Sequence, residues 1–175
     1  MLAEKTCMRI YCPTCWRDYP DTERSCRACG TSLWDFGSDD FVAKLIRSLH
    51  HPQPVTVERA ATLLGRIRDQ RAAEPLLALL GEEAAPEALV AAADSLAMLG
   101  ERRAIPLLVR LRAAPTSFLI VRLAVVRALA RLGGLEAESA LQQALDDRSP
   151  AVRDLAAEAL AQLAATGVIA REEER

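Results

Sequence analysis

The sequence predicts a mostly α-helical protein, an α-solenoid of about three and a half helix pairs preceded by a small β module that holds a metal ion. Similar segments return every 31 to 33 residues from residue 54 onward, and four cysteines form two CxxC pairs ahead of them. Six of the seven aromatic residues lie in the first 41 positions, which marks a boundary between the two parts. We expect a metal module at 1–36, a solenoid at 39–170 and a charged tail at 171–175.

The composition narrows the classes of function. The chain has 22 Lys and Arg against 24 Asp and Glu, a net charge of -2, so it lacks the basic excess that binds nucleic acid. It has neither an apolar run long enough to span a bilayer nor the apolar core of a secretory signal. We therefore expect a cytoplasmic protein without a membrane partner. In a reducing compartment, paired CxxC motifs favour a metal site over disulfides.

The two CxxC pairs stand ten residues apart, which is metal-ligand spacing. Their four cysteines are Cys12, Cys15, Cys26 and Cys29. Each CxxC turn can direct two thiolates at one ion, and two such turns complete the closed tetrahedral shell of structural zinc. We predict one structural Zn²⁺, which folds a module too small to bury its own core. An iron–sulfur or redox site is the alternative. Cys7 lies outside this spacing and is either a spare thiol or a fifth ligand.

The motifs of this segment resemble a known module. Cys12-Pro13-Thr14-Cys15, Tyr19-Pro20 and Cys26-Arg27-Ala28-Cys29-Gly30 resemble the small zinc ribbon at the N-terminus of many bacterial proteins. The resemblance covers residues 8 to 33 and implies a short strand before the first turn. Trp16 stands where the ribbon often has Gly, and Arg27 where it often has Pro. Neither departure removes a ligand.

The repeats share three small or apolar positions whose spacings of four and three residues place them on one stripe of a helix. These positions are Ala60, Ala92, Val125 and Ala156; then Leu64, Leu96, Leu129 and Leu160; then Ile67, Leu99, Leu132 and Leu163. A break and a second apolar helix follow the stripe in the first three repeats. Gly81, Gly100 and Gly133 are expected to form left-handed helix caps. A helix at Asp40–His50 is predicted to cap the front of the stack as a second helix without its partner.

The repeats share a consensus motif, VRxxAAxAL followed by LGxxRAxxPLL, which resembles that of a second known family. Val152–Leu160 and Leu99–Leu107 match it, and the resemblance covers residues 54 to 165. It is similar to the short HEAT repeats first associated with phycobiliprotein lyases. That resemblance implies a HEAT-type solenoid whose second helices line the concave face, and it specifies a fold more than a function.

We therefore predict a non-enzymatic scaffold or adaptor that binds a protein partner, whose identity the sequence leaves open. Candidate contact residues on the second helices are Glu74, Arg103, Arg110, Gln142 and Gln143, although the same residues also suit a solvated face. Phe118 and Leu119 form either an exposed apolar patch for a partner or a hydrophobic staple on their own helix.

Three other functions remain open. The repeat family implies an accessory subunit or a lyase-like factor that handles bilins. The zinc ribbon would also suit a protein that contacts nucleic acid, although its basic and acidic residues are balanced. A second copy of the chain would cover the C-terminal repeat if the tail leaves it uncovered. HEAT-type repeats also occur in deoxyhypusine hydroxylase, which binds iron through His-Glu pairs, but His50 and His51 form no such pair here.

Overall fold

A two-stranded hairpin precedes a stack of helices. The structure, a computed structural model, describes the backbone of residues 9–33 and 40–173 and the side chains of residues 10–33 and 40–165. Strand β1 (Arg9–Tyr11) pairs antiparallel with β2 (Asp18–Pro20), with Ile10 opposite Tyr19. The expected short strand before the first CxxC turn is therefore present from Arg9, and its predicted start at Met8 lies outside the described residues.

Residues 21–33 form turns and one isolated bridge between Ser25 and Ser32, and the described chain from residue 40 onward is helical apart from its connections. Two 3₁₀ turns, Gln70–Ala72 and Arg102–Ala104, precede the third and fifth helices. The α-helices are α1 (Phe41–Ser48), α2 (Pro54–Ile67), α3 (Ala73–Gly81), α4 (Pro86–Leu99), α5 (Ile105–Ala113), α6 (Leu119–Leu132), α7 (Gly134–Ala144) and α8 (Pro150–Glu173). This arrangement confirms the predicted α-solenoid behind a small β region.

The helices form two layers. Helices α2, α4, α6 and α8 pack against one another in series, and α3, α5 and α7 form a parallel series beside them. Helices α3 and α5 pack mainly on the first-series helix that follows each of them, whereas α7 packs about equally on α6 and α8. Helix α1 likewise packs on α2, the first-series helix that follows it. The front helix therefore packs as a second helix with no first helix of its own before it in the described chain, as the sequence predicted.

Capping residues set several helix boundaries. The Asp40 carboxylate accepts a hydrogen bond from the amide of Ala43 at 2.8 Å and begins α1. Prolines occupy the first position of α2, α4 and α8, where a missing N–H leaves no intrahelical bond unmade.

The helix ends follow the sequence prediction only in part. Gly100 ends α4 in the left-handed conformation, with a φ of 71°, as predicted. Gly133 also has a positive φ, 59°, but its extended ψ turns the chain directly into α7. The prediction for Gly81 was wrong, because it is the last residue of α3 and the chain leaves through an extended Glu82. A left-handed cap that the sequence did not predict is present at Arg68, which has a φ of 58° and ends α2.

The last helix is longer than the sequence pattern indicated. The apolar stripe ends near residue 165, and we expected a separate charged tail after residue 170. Helix α8 continues through Glu173, so residues 171–173 belong to it, and residues 174–175 lie outside the described residues.

The predicted stripe forms the core along its first two positions. Residues at these positions, such as Ala92 and Leu96, are fully buried, whereas Ile67 at the third position is 41% exposed. Helices α2 and α4 approach closely because Gly65 has no side chain facing Ser95. The buried Ser95 hydroxyl donates a hydrogen bond to the carbonyl oxygen of Ala61 at 2.8 Å. This bond satisfies a polar group that would otherwise be costly to bury.

A buried group of charges joins the last two repeats. The Arg122 guanidinium contacts the Asp147 carboxylate at 3.2 Å, and Arg112 lies 3.6 Å from the other oxygen of the same carboxylate. Arg122 also donates to the carbonyl of Ser117 at 2.6 Å. All three charged side chains are at most 10% exposed. One carboxylate therefore lies between two arginines in the interior and offsets one of their two positive charges.

Candidate metal centre and interaction surface

The four predicted cysteine ligands converge on one point. Their sulfur atoms all lie within 4.8 Å of one another. Cys12 Sγ is 3.5 Å from Cys29 Sγ, and Cys15 Sγ is 3.4 Å from Cys26 Sγ. These separations are too long for disulfides, in which the sulfurs are about 2.05 Å apart, and all four thiols are free. They are close to the edge of a tetrahedron whose centre lies about 2.3 Å from each sulfur, the Zn–S bond length.

The two CxxC turns have the same backbone geometry. The amide of Cys12 donates to the carbonyl of Arg17, and the amide of Cys26 donates to the carbonyl of Thr31, both at 2.8 Å. In each turn the residue after the second cysteine donates back to the carbonyl of the first cysteine. That residue has a positive φ in both turns, 75° at Gly30 and 60° at Trp16.

Trp16 therefore occupies a conformation that suits glycine. In the left-handed region a Cβ approaches the following carbonyl, and a bulky side chain there is a conformational outlier. Each CxxC turn requires a left-handed backbone at this position. Gly30 adopts it without strain, whereas Trp16, the residue that departs from the ribbon pattern, adopts it with strain.

Polar groups around the sulfurs favour thiolates at two of the four positions. Burial raises the pKa of a thiol, but at Cys26 the hydroxyl of Tyr19, 3.2 Å from the sulfur, and nearby amides outweigh it and lower the pKa to about 5. The Thr31 hydroxyl, 3.3 Å from Cys29 Sγ, holds the pKa of that thiol below its usual value. Hydrogen bonds of this kind stabilise the charged form.

Cys15 shows the opposite shift. The amide of Arg17 favours its thiolate, yet burial and the three neighbouring sulfurs raise its pKa to about 12. Thiolates this close repel one another, so all four can ionise together only when a cation lies between them. The donor set therefore fits a thiophilic metal ion. Tyr19 and Thr31 were not predicted as part of the metal centre. The Tyr19-Pro20 motif of the ribbon could have indicated a role for Tyr19.

The cysteine module contacts the first helix through Trp16. Its indole Nε1 donates to the carbonyl oxygen of Arg47 in the last turn of α1 at 3.3 Å. The indole ring also lies edge-on to the ring of His51, with the ring centroids 4.6 Å apart. His51 lies in the connection between α1 and α2 and accepts a hydrogen bond at Nδ1 from the amide of Gln53.

A groove of about 620 Å³ lies between α5 and α7 of the second series. Its apolar lining comes from Ile105, Pro106, Val109, Leu135 and Ala140. Leu135 is 84% exposed, the highest value among the large apolar residues that the structure describes. A side chain of this kind usually costs free energy in water, which is why exposed apolar patches mark interaction sites.

Two of the predicted contact residues border this groove. Arg110 and Gln143 line it together with Glu136. The Arg110 guanidinium has no hydrogen-bond or ion-pair partner among the described residues. The sequence did not single out Leu135, because its exposure depends on how α7 lies beside α5.

The other predicted contact residues lie elsewhere. Arg103 forms ion pairs with Glu74 of the preceding repeat and with Glu101, so these side chains already have partners within the chain. Gln142 is exposed but lies outside the lining of the groove. Glu74 and Arg103 thus tie adjacent second helices together, whatever else they contact.

Phe118 and Leu119 lie at the start of α6. Phe118 is 62% exposed and Leu119 is 44% exposed, and Ile120 beside them is 48% exposed. This degree of exposure favours the apolar patch over the hydrophobic staple, because a staple would bury Phe118 against its own helix.

The two histidines line a different cavity. His50 and His51 border a space of about 310 Å³ together with Glu82 and Glu83. Across the described ranges, the four cysteines are the one group of three or more potential metal-ligating side chains that lie close enough to share an ion. The histidines therefore join no such group there.

Comparison with known proteins agrees with the repeat pattern. The model of a family described as HEAT repeats matches residues 20–89, 42–119 and 115–171. These matches together cover well over half of the chain. No curated protein matches the sequence. Within the described residues, every helix is too short or too polar to cross a membrane.

Proposed function

Because the chain belongs to the HEAT-repeat family, we propose that it is a non-enzymatic scaffold that binds a protein partner along its second helices and carries a structural zinc module. The observation that carries the proposal is the apolar groove between α5 and α7, lined by the exposed Leu135 and by Arg110, whose guanidinium has no partner among the described residues. HEAT repeats commonly mediate protein–protein interaction. The likeness of VRxxAAxAL to the phycobiliprotein-lyase repeats supports the short HEAT type.

The metal of the module is proposed to be zinc. Four thiolates at tetrahedral spacing suit Zn²⁺, and such a shell leaves no coordination position for substrate or water. Cys12, Cys15, Cys26 and Cys29 would hold it, with the Tyr19 hydroxyl and backbone amides supporting the sulfurs. A site of this kind contributes folding energy instead of chemistry, which is the basis of the non-enzymatic proposal.

The partner is proposed to present an apolar side chain next to an acidic group. The apolar lining of the groove contacts the apolar side chain, and the Arg110 guanidinium, which has no partner within the described part of the chain, donates hydrogen bonds to the acidic group. Glu136 lies on the α7 side of the same groove and repels an acidic group there. The acidic group of the partner should therefore lie on the α5 side of the groove.

The experiment places a photo-crosslinking amino acid at position 135 of the full chain, in source-cell extract with zinc present. Mass spectrometry then reads the crosslinked peptide. We expect a segment with an acidic residue adjacent to the crosslinked apolar residue. Leu135→Ser and Arg110→Glu should each weaken capture at least about tenfold, as loss of a central anchor does. Arg59→Glu, on an exposed position of α2, is the matched charge control.

A second variant separates this groove from the patch at the start of α6. Phe118→Ser changes an apolar side chain of comparable exposure outside the groove. Capture that depends on Phe118 and ignores Leu135 would remove the groove as the binding surface. The bilin-handling and nucleic-acid alternatives, self-association through the C-terminal repeat and the cytoplasmic location stay predictions.

A further inference from the structure

We propose that Trp16 is a latch, a side chain through which metal binding in the cysteine module stabilises α1 and its connection to α2. The observation behind this proposal is a side chain that its own turn does not require, at a position where the turn requires a left-handed backbone. The second CxxC turn has the same geometry with Gly30 in the equivalent place. Glycine would close the first turn without strain, so the indole must be explained by what it contacts outside the turn.

The contacts of the indole lie on the solenoid. Nε1–H donates to the Arg47 carbonyl, which belongs to the last turn of α1. The Arg47 carbonyl also accepts the amide of His50 at 3.1 Å, so the indole is a further donor to an oxygen that has two lone pairs. The ring edge meets His51, which follows the end of α1. One side chain therefore holds both the end of α1 and the connection to α2.

The position of Trp16 depends on the module. Its backbone amide donates to the carbonyl of Cys12, and it directly follows Cys15, so its left-handed conformation exists only when the first CxxC turn is closed. Thiolates this close need a cation to remain together. Metal binding thus fixes the turn, the turn aims the indole, and the indole holds α1. His51 also lines the 310 Å³ cavity beside α1, so the same contact fixes one of its walls.

The inference rests on the proposed metal site, but it depends neither on the partner groove nor on zinc being the natural metal. The test uses the full chain with Zn²⁺ as the probe and two separate measurements. Chelator competition measures metal affinity, and hydrogen exchange measures the protection of residues 41–53. In the wild type, metal removal should lower that protection about tenfold, which an indole hydrogen bond and an edge-to-face ring contact together can supply.

The informative variant is Trp16→Gly, which relieves the strained position and removes the indole. We expect Zn²⁺ binding to be retained or tightened and the protection of residues 41–53 to become independent of metal. Tyr11→Ala, an exposed aromatic position of the same module, is the matched control and should keep the wild-type response. Trp34→Phe leaves Trp16 as the one tryptophan, whose fluorescence should then shift when Zn²⁺ is added.

Two results would overturn the proposal. If the protection of α1 still depends on metal in Trp16→Gly, the coupling does not pass through the indole. If Trp16→Gly no longer binds Zn²⁺, the side chain serves the metal turn itself. Failure of the wild type to bind any metal would appear in the chelator measurement and would remove the metal site together with the latch.

Discussion

Gly65 of α2 faces Ser95 of α4 so closely that a Cβ at position 65 would lie 2.7 Å from the Ser95 Cα. The contact involves backbone, so a change of rotamer cannot relieve it. We expect Gly65→Ala to lower the free energy of unfolding by about 2 kcal/mol, because the helices must separate and the bond from Ser95 to Ala61 is strained. Denaturant unfolding followed by circular dichroism measures this.

Gly81→Ala is the matched control for this prediction. Gly81 is the last residue of α3, where a Cβ would have nothing within 4 Å and φ is not positive. The change should be neutral or stabilising by up to about 1 kcal/mol, since alanine favours the helix. Equal losses from both variants would show that helix propensity, and not the approach of α2 to α4, decides the effect.

Asp147→Asn should be strongly destabilising. The change leaves Arg122 and Arg112 buried without a compensating charge, for which the loss is about 3–5 kcal/mol. Asp146→Asn removes an exposed carboxylate one residue away and should change stability by less than about 0.5 kcal/mol. Thermal unfolding of the two variants side by side provides the measurement. Similar melting temperatures would mean that the buried charges are compensated in another way.

Ala92→Glu tests the packing of the central first-series helix. Ala92 is fully buried, so a glutamate there both overfills the interface and buries a carboxyl group without a partner. We expect a loss of roughly 3–5 kcal/mol. Ala161→Glu places the same side chain on an exposed position of α8 and should be tolerated. Calorimetry on both proteins checks this, and a stable Ala92→Glu protein would mean that α4 is not a core helix.

Cys26→Ser should abolish stoichiometric metal binding. The wild-type chain is expected to hold about one zinc ion, measured by elemental analysis after dialysis. Cys26 is buried at the centre of the cluster, so the remaining three thiols form an open and weaker site. Cys7→Ser is the control and should keep one ion if Cys7 is a spare thiol. Absence of zinc in the wild type, or a coloured iron protein, would contradict the assignment.

The features that the sequence predicted correctly are those whose determining residues lie close together along the chain. The CxxC turns depend on spacings of three residues, and the structure brings all four sulfurs together. The apolar stripe at spacings of four and three fixed the buried face of each first-series helix, including Leu96 and Leu129. Both signals are local, because turn and helix geometry repeat over a few residues.

Prediction failed where an outcome depends on distant parts of the chain. Arg122 and Asp147 are 25 residues apart, and nothing in either local segment indicates that both charges are buried. The contact of Trp16 with Arg47 spans 31 residues. The cap at Gly81 was predicted wrongly because glycine permits a left-handed end without requiring it. Arg68 adopts the left-handed conformation at the end of α2, although a residue with a Cβ disfavours it.

The serial stacking of α2, α4, α6 and α8 has a kinetic consequence. Because most tertiary partners sit within one or two helices along the chain, few long loops must close before stabilising contacts form. Low contact order of this kind is associated with rapid folding, and a nucleus in any repeat can grow toward both termini.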